Sequence, residues 1–365
     1  MMRRFFQWLL LRPVIWSAKK FSSKPEQDRI FKALSKLYRN ITREPGKKGL
    51  VIPFELNAGK FIILSDQHKG ARDGADDFAA AEPNYLAALD FYNANGFTFI
   101  SLGDNEELWE NTLAQVKKYN QATFEAEKKF LARNAFVKIF GNHDLFWAND
   151  PLATFQLKGI YNADVKIYEG VLLPVMIGDK TLNIFCTHGH QGDAQSDGNW
   201  FSKFFVARIW GPLQGYLRIN PNTPAYSNEE KTLHNDIMYK WSAQFNDILL
   251  ITGHTHQPVF ESLTLLEKLY WEMQVANRDK NEEEIKRLQQ EIKTREKEFS
   301  SVSVDYLTMK PSYFNSGCCC FSDGDMTGLE IENGYIRLIK WKSENQLPTR
   351  TVLEEIQLQE VFNQL

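Results

Sequence analysis

No run of about 20 apolar residues occurs among the 365 residues of this chain, so the sequence offers no conventional membrane-spanning helix. Cysteine is scarce. Cys186 and the consecutive Cys318, Cys319 and Cys320 are the only four, and none forms a CxxC pair. Neighbouring residues of a strand point to opposite faces, so adjacent thiols cannot build a disulfide framework. They read as small buried residues in a reducing compartment, and a cytoplasmic location is expected. Net charge is also small, at −3, which argues against a general nucleic-acid binder.

That small total hides an uneven distribution. Residues 1–50 carry 13 Lys/Arg against three acids, a charge of +10, which leaves −13 for residues 51–365. A basic arm of this kind suits an anionic partner. Its beginning mixes cations with aromatics: Arg3-Arg4, then Phe5-Phe6-Gln7-Trp8-Leu9-Leu10-Leu11, then Arg12-Pro13 and Val14-Ile15-Trp16. Three readings stay open. An interfacial segment would seat Trp and Phe at lipid headgroups, with residues 1–24 on an anionic membrane surface, peripheral on its inner face. A helix packed on its own domain is the second. A signal peptide is the third; Arg12-Pro13 cuts its apolar stretch short, and no small-x-small cleavage site follows.

Further on, short apolar runs each end in a polar motif. Phe61–Leu64 leads into Ser65-Asp66, Phe97–Leu102 into Gly103-Asp104, and Phe136–Phe140 into Gly141-Asn142. Leu182–Cys186 leads into Thr187-His188, and Ile248–Ile251 into Thr252-Gly253-His254. Runs of this length and β-branched content predict buried strands. Helical patterns such as Tyr85–Asn93 and Ala122–Arg133 lie between them, which predicts an α/β sheet with its ligand site beyond the carboxyl ends of the strands. Asn333-Gly334 between two alternating runs predicts a hairpin, and residues 313–341 are expected to add strands to a second sheet.

The expected organisation is a basic amphipathic segment over 1–50, a catalytic domain over 51–345 and a C-terminal tail over 346–365. Two helical insertions interrupt the domain. Residues 197–245 are rich in aromatics; their Trp200–Trp210 stretch is too apolar for a surface helix and calls for core, lipid or membrane. Residues 264–300 are highly charged and predict a helical hairpin arm.

Seven histidines are present, and six lie in the strand-end motifs: His68, His143, His188, His190, His254 and His256. With Asp66, Asp104 and Asn142 they form a mixed imidazole, carboxylate and amide set. That set suits Mn, Fe or Zn better than Ca or Mg alone, and the lack of cysteine in these motifs disfavours a structural zinc site. Two divalent metal ions, with Mn2+ first and Fe or Zn as alternatives, need a bridging carboxylate, for which Asp104 is the natural candidate. His190 either contacts substrate phosphate or is structural. Glu107 either orients His143 or contacts substrate, with a surface role as the bland alternative. His234, isolated in the insertion, is expected to be non-catalytic.

The five motifs, Asp66-x-His68, Gly103-Asp104, Gly141-Asn142-His143-Asp144, His188-Gly189 and Gly253-His254-Thr255-His256, together resemble the calcineurin-like metallophosphoesterase superfamily over about residues 60–260. The resemblance implies a double β-sandwich flanked by helices. It implies one metal held by Asp66, His68, Asp104 and His256, and another by Asp104, Asn142, His188 and His254. It also implies attack on phosphorus by a metal-bound hydroxide, with His143 protonating the leaving oxygen as the catalytic residue. Within the superfamily, Gly103-Asp104-Asn105-Glu106-Glu107-Leu108-Trp109 and the aromatic insertion resemble the UDP-2,3-diacylglucosamine pyrophosphatase group. The chain departs from that group in His143, where Arg is usual, in His190, where Asp is usual, and in the 264–300 arm.

The function expected is therefore hydrolysis of a phosphodiester or pyrophosphate, lipid-linked or nucleotide-linked, by a membrane-associated enzyme. A soluble nucleotide or nucleic-acid phosphodiesterase is the alternative, and a basic groove beside the site would favour it. A non-catalytic scaffold would show lost ligands, and none is lost.

Overall fold

The computed structural model describes residues 25–73, 76–192, 228–295 and 309–365. The strands among them are β1 (Gly49–Val51), β2 (Lys60–Leu64), β3 (Thr98–Leu102), β4 (Phe136–Ile139), β5 (Ile167–Tyr168), β6 (Gly170–Ile177), β7 (Lys180–Thr187), β8 (Ile248–Thr252), β9 (Val259–Phe260), β10 (Leu263–Thr264), β11 (Tyr313–Asn315), β12 (Met326–Glu332), β13 (Tyr335–Glu344) and β14 (Leu347–Gln357). The helices are α1 (Gln27–Arg43), α2 (Glu82–Ala94), α3 (Leu113–Tyr119), α4 (Gln121–Leu131), α5 (Phe146–Asn149), α6 (Ala153–Tyr161), α7 (Asn228–Ser242), α8 (Leu265–Arg278), α9 (Glu282–Arg295) and α10 (Leu358–Gln364).

Two seven-stranded sheets result, in the orders β1-β6-β7-β8-β11-β9-β10 and β14-β13-β12-β2-β3-β4-β5. The side-chain alternation of β2 shows why they stack. Phe61 and Ile63 point into a core shared with Val171, Leu173, Ile184, Leu249 and Ile251 of the other sheet. Ile62 and Leu64 point the other way, against Tyr85, Leu89 and Tyr92 of α2 and Phe130 of α4. A strand buried on both faces reads as a continuous apolar run, as this one does. On the outer face of the first sheet, α1 buries Ile30, Leu34, Leu37 and Ile41 at helical spacing beside Ile237, Met238 and Trp241 of α7. The layers are thus helix, sheet, sheet, helix, the double β-sandwich flanked by helices that the motifs implied.

The motif strands do not share one sheet, although their sequences look alike. β2, β3 and β4 are parallel neighbours in one, and β7 and β8 in the other. The hairpin at Asn333-Gly334 is present, with both residues at positive φ. Its strands β12 and β13 extend the sheet containing β2, whereas β11 joins β8 in the opposite one.

Three expected boundaries differ from the structure. Residues 346–365 are no tail: β14 pairs along the length of β13, and α10 buries Leu358 and Val361 in the inter-sheet core. Residues 27–51 belong to the fold through α1 and β1, because the apolar stripe of α1 covers sheet. The aromatic insertion expected over 197–245 lies outside the described residues as far as residue 227, but its last part is α7, a core-covering helix. The apolar 1–24 segment also lies outside the described residues. α8 and α9 pack on each other through Leu266, Leu269, Ala276, Leu288 and Ile292, and a Thr264–Glu267 capping box starts α8. Among the described residues, no helix is long and apolar enough to cross a membrane.

Candidate metal centre

Each of the five motifs opens where a strand stops, and the carboxyl ends of both sheets converge. Backbone hydrogen bonds lace the loops together. Asp66 N–H donates to Gly103 O at 3.0 Å, His68 N–H to Asp104 O at 2.9 Å, and Gly253 N–H to His188 O at 3.0 Å. His254 N–H donates to Asp66 Oδ2 at 3.0 Å, which ties one sheet to the other.

The backbone here is strained. Asp66, His68, Asp104, His254 and His256 all have φ between 50° and 69°. A non-glycine residue in this left-handed region costs on the order of 1–3 kcal/mol and persists only where its surroundings hold it, typically at functional sites. Five of the seven expected ligands sit this way. Gly103, with φ +92°, shows the crowding: a Cβ there would lie 2.5 Å from His188 Cγ.

The side chains gather around Asp104. Its Oδ1 accepts from His143 N–H at 2.8 Å. Its Oδ2 lies 3.2 Å from His188 Nε2 on one side and 3.8 Å from His68 Nε2 on the other. Two clusters of donor atoms meet at this carboxylate: Asp104 with His68 and His143, and Asp104 with His188 and His254. Asn142 Oδ1 lies 3.2 Å from His188 Nε2, in the second cluster. Asp66 Oδ2 accepts from Ser65 Oγ, while Oδ1 lies 3.2 Å from His256 Nε2. His68 Nε2 and His256 Nε2 face each other at 3.1 Å. All eight residues expected at the centre are therefore together, although they span positions 66 to 256.

Glu107 and His143 form a second tier. Glu107 Oε2 accepts from His143 Nδ1 at 2.7 Å and from His68 Nδ1 at 2.9 Å. Its Oε1 accepts from Trp109 N–H at 3.2 Å. Trp109 stacks on the His143 ring at 4.1 Å between centroids. Glu107 thus has internal partners and positions two imidazoles. His190 is buried, its ring 5.4 Å from that of His188 and 5.9 Å from Phe140. His234 Nε2 donates to Gly189 O at 2.9 Å, and its ring is 5.0 Å from His254.

The electrostatics follow from burial competing with charge. Burial opposes protonation of His68, but Glu107 and Asp104 outweigh it and raise His68 to about 9. His188 is raised against its burial to about 9 by Asp104 and Asp66, and His256 to about 10 by Asp66 and Cys318. His254 goes the other way: burial, then the neighbouring His234 and His188, hold it well below its ordinary value. Burial opposes ionisation of Glu107 too, yet His143 and His68 hold it down at about 2. Protons thus gather on the imidazoles that face the carboxylates, where a divalent cation would replace them.

Two features escaped the sequence. The first is a buried ion network under the loops. Glu106 Oε1 binds Lys138 Nζ at 2.8 Å and Lys69 Nζ at 3.2 Å, and Trp147 Nε1 donates to Oε2 at 2.8 Å. Lys69 also reaches Glu127 at 2.6 Å, which accepts from Tyr85 OH and Tyr161 OH. Lys69 and Glu106 adjoin His68 and Glu107, so the network anchors both loops. The second is Cys320, whose Sγ lies 3.7 Å from His256 Nδ1. Neither had a signal in spacing or composition.

The residues fit bound divalent metal. Asp66 Oδ1 and His254 Nε2 are buried without a hydrogen-bond partner, as metal-directed atoms are. The 3.1 Å between His68 Nε2 and His256 Nε2 is close to the edge of a tetrahedron with metal–nitrogen bonds of about 2.0–2.1 Å.

No curated protein matches the chain. Solved structures that match include vacuolar protein sorting 29 from Cryptosporidium parvum, at 12% identity and a TM-score of 0.34, over 82% of this chain and 99% of that one. The profile of the calcineurin-like phosphoesterases matches residues 59–258, which hold all five motifs and more than half of the chain. The chain therefore belongs to the calcineurin-like phosphoesterase family, whose chemistry is metal-dependent phosphoester hydrolysis.

Proposed function

We propose that the chain hydrolyses a phosphodiester or pyrophosphate carried on a lipid, using two divalent ions, with Mn2+ first and Fe or Zn as alternatives. The observation that carries the dinuclear reading is Asp104, a buried carboxylate with a donor cluster on each side. Asp66, His68 and His256 with Asp104 would hold one ion, and Asn142, His188 and His254 with Asp104 the other. Bound ions of this kind polarise phosphoryl oxygens and bring the pKa of water towards neutrality.

The rest is the work of the chain. Glu107 accepts the Nδ1 proton of His143, which leaves Nε2 to give a proton to the leaving oxygen. Trp109 holds that ring flat and shields one face. Glu107 also fixes the tautomer of His68, so Nε2 is the nitrogen directed to the ion.

Support for a lipid-linked substrate comes from the composition of residues 1–24, basic and aromatic, which suits peripheral attachment to an anionic membrane face.

The test is an assay of a diester, a monoester and a lipid-linked pyrophosphate with Mn2+. His143→Ala should lower kcat by about 10²–10⁴-fold with metal content unchanged, and Asp104→Asn should lose metal. Absence of metal-dependent turnover of every phosphoester would refute the enzymatic reading. Unchanged liposome sedimentation after removal of residues 1–24 would refute the membrane reading.

A further inference from the structure

The imidazoles around Asp104 are not all held in the same way. A metal-bound histidine usually gives its second ring nitrogen to a fixed acceptor, which sets the tautomer and the direction of the ring. His68 does so through Nδ1 to Glu107 Oε2 at 2.9 Å, and His188 through Nδ1 to Leu102 O at 2.9 Å. His254 differs. It is buried, its Nε2 has no hydrogen-bond partner, and no hydrogen bond among the described residues fixes its ring.

Packing takes the place of that bond. The His254 ring lies between two other imidazoles, both edge-on: His188, with centroids 5.2 Å apart and planes at 72°, and His234, at 5.0 Å and 63°. Such T-shaped contacts favour one relative orientation of two rings. His234 comes from α7 and belongs to neither donor cluster at Asp104. Its own ring is fixed, because it is buried and its Nε2 donates to Gly189 O at 2.9 Å, in the loop of His188. The next residue docks α7 on the loop of His254. Asn235 Oδ1 accepts from Thr255 Oγ1 at 3.1 Å and from Tyr313 OH at 2.8 Å, and its Nδ2 donates to Gln257 Oε1 at 3.0 Å. α7 is thus bonded to both loops, with His234 set against the ring of His254.

We propose that His234 is a positioning residue for the second metal position: anchored on Gly189, its ring holds that of His254 so that Nε2 is directed to the ion beside Asp104. The donor atoms of Asp104, His188 and His254 lie within 4.8 Å of one another. A half-turn of the His254 ring about its Cβ–Cγ bond would put carbon where Nε2 now lies, so the direction of this ring decides whether the position is complete. His234 acts through His254 and touches neither ion nor substrate.

This inference rests on the dinuclear reading, and one titration separates the two. The full, metal-free chain is titrated with Mn2+ by calorimetry, and His254→Ala identifies which of the two binding steps belongs to the His254 position. His234→Gln keeps an N–H for Gly189 O but removes the ring; His234→Phe keeps a ring and removes the donor. In His234→Gln the His254 step should weaken about 10–100-fold with the other step unchanged, and in His234→Phe that step should be tighter than in His234→Gln. General loosening of the fold would instead weaken both steps together. Should His234→Gln not fold, His234→Leu, which fills the space without a ring, takes its place with the same expected loss. A His254 step unchanged without the ring, equal weakening of both steps, or a His234→Phe as weak as His234→Gln would each overturn the role of His234. A wild type that binds fewer than two ions would overturn the dinuclear reading, and this inference with it.

Discussion

Lys69→Met tests whether the buried ion network holds up the loops that carry the metal centre. Lys69 is fully buried between Glu127, at 2.6 Å, and Glu106, at 3.2 Å. Burial alone would lower its pKa, but the two glutamates win and raise it. Glu106 gives a scale. Burial opposes its ionisation, yet Lys138 and Lys69 hold it at about 2 against an ordinary 4.5. At about 1.4 kcal/mol per unit, that shift is worth about 3 kcal/mol. Its pKa is depressed by folding, so this stability is complete above about pH 4.5 and lost as pH falls towards 2. Methionine keeps the length of lysine but leaves Glu127 with only its two tyrosine hydroxyls. Breaking a buried pair from one side costs about 3–5 kcal/mol. Urea unfolding of the metal-free protein at pH 7 should show that loss, and Lys69→Met with Glu127→Gln should recover about 2 kcal/mol of the additive sum, because neither charge is then left alone. A Lys69→Met protein within 1 kcal/mol of wild type, on the scale of exposed pairs, would refute the reasoning.

Other outcomes follow from the same geometry. Glu107→Gln removes the negative charge shared by His68 and His143, so metal affinity or kcat should fall about 10–100-fold; unchanged values in both would contradict its positioning role. Gly103→Ala drives a Cβ onto His188, and the protein should keep its far-ultraviolet circular dichroism but lose metal, measured by elemental analysis. In the metal-free chain His188 titrates near 9 and His256 near 10, so metal must displace protons at pH 7 and bind more tightly as pH rises towards 9. Calorimetry in buffers of different ionisation enthalpy should show that proton release, and buffer-independent heats would contradict it.

Much of the site was legible in the sequence because its information is local. Strand, turn and ligand occupy consecutive positions in each motif, so Phe61–Asp66 or Ile248–His254 announces both element and chemistry. The division of the motif strands between two sheets was not legible. Phe61–Leu64 is apolar on both faces, and that pattern is the same whether the neighbour is a helix or another sheet. β14 was missed for the opposite reason: Pro348, Arg350, Glu354 and Glu355 blur its alternation, and only the ladder with β13 makes it a strand. Lys69 and Lys138 look like surface cations in sequence; their partners Glu127 and Glu106 lie 58 and 32 residues away. Cys320 is likewise 64 residues from His256 and has no spacing motif.

The central claim is that Asp104 bridges two ions. Anomalous diffraction from crystals grown with Mn2+ tests it most directly. Two peaks about 3.5–4 Å apart, one on each side of the Asp104 carboxylate, are predicted. No peak within bonding distance of Asp104, or a single peak bound elsewhere, would contradict it.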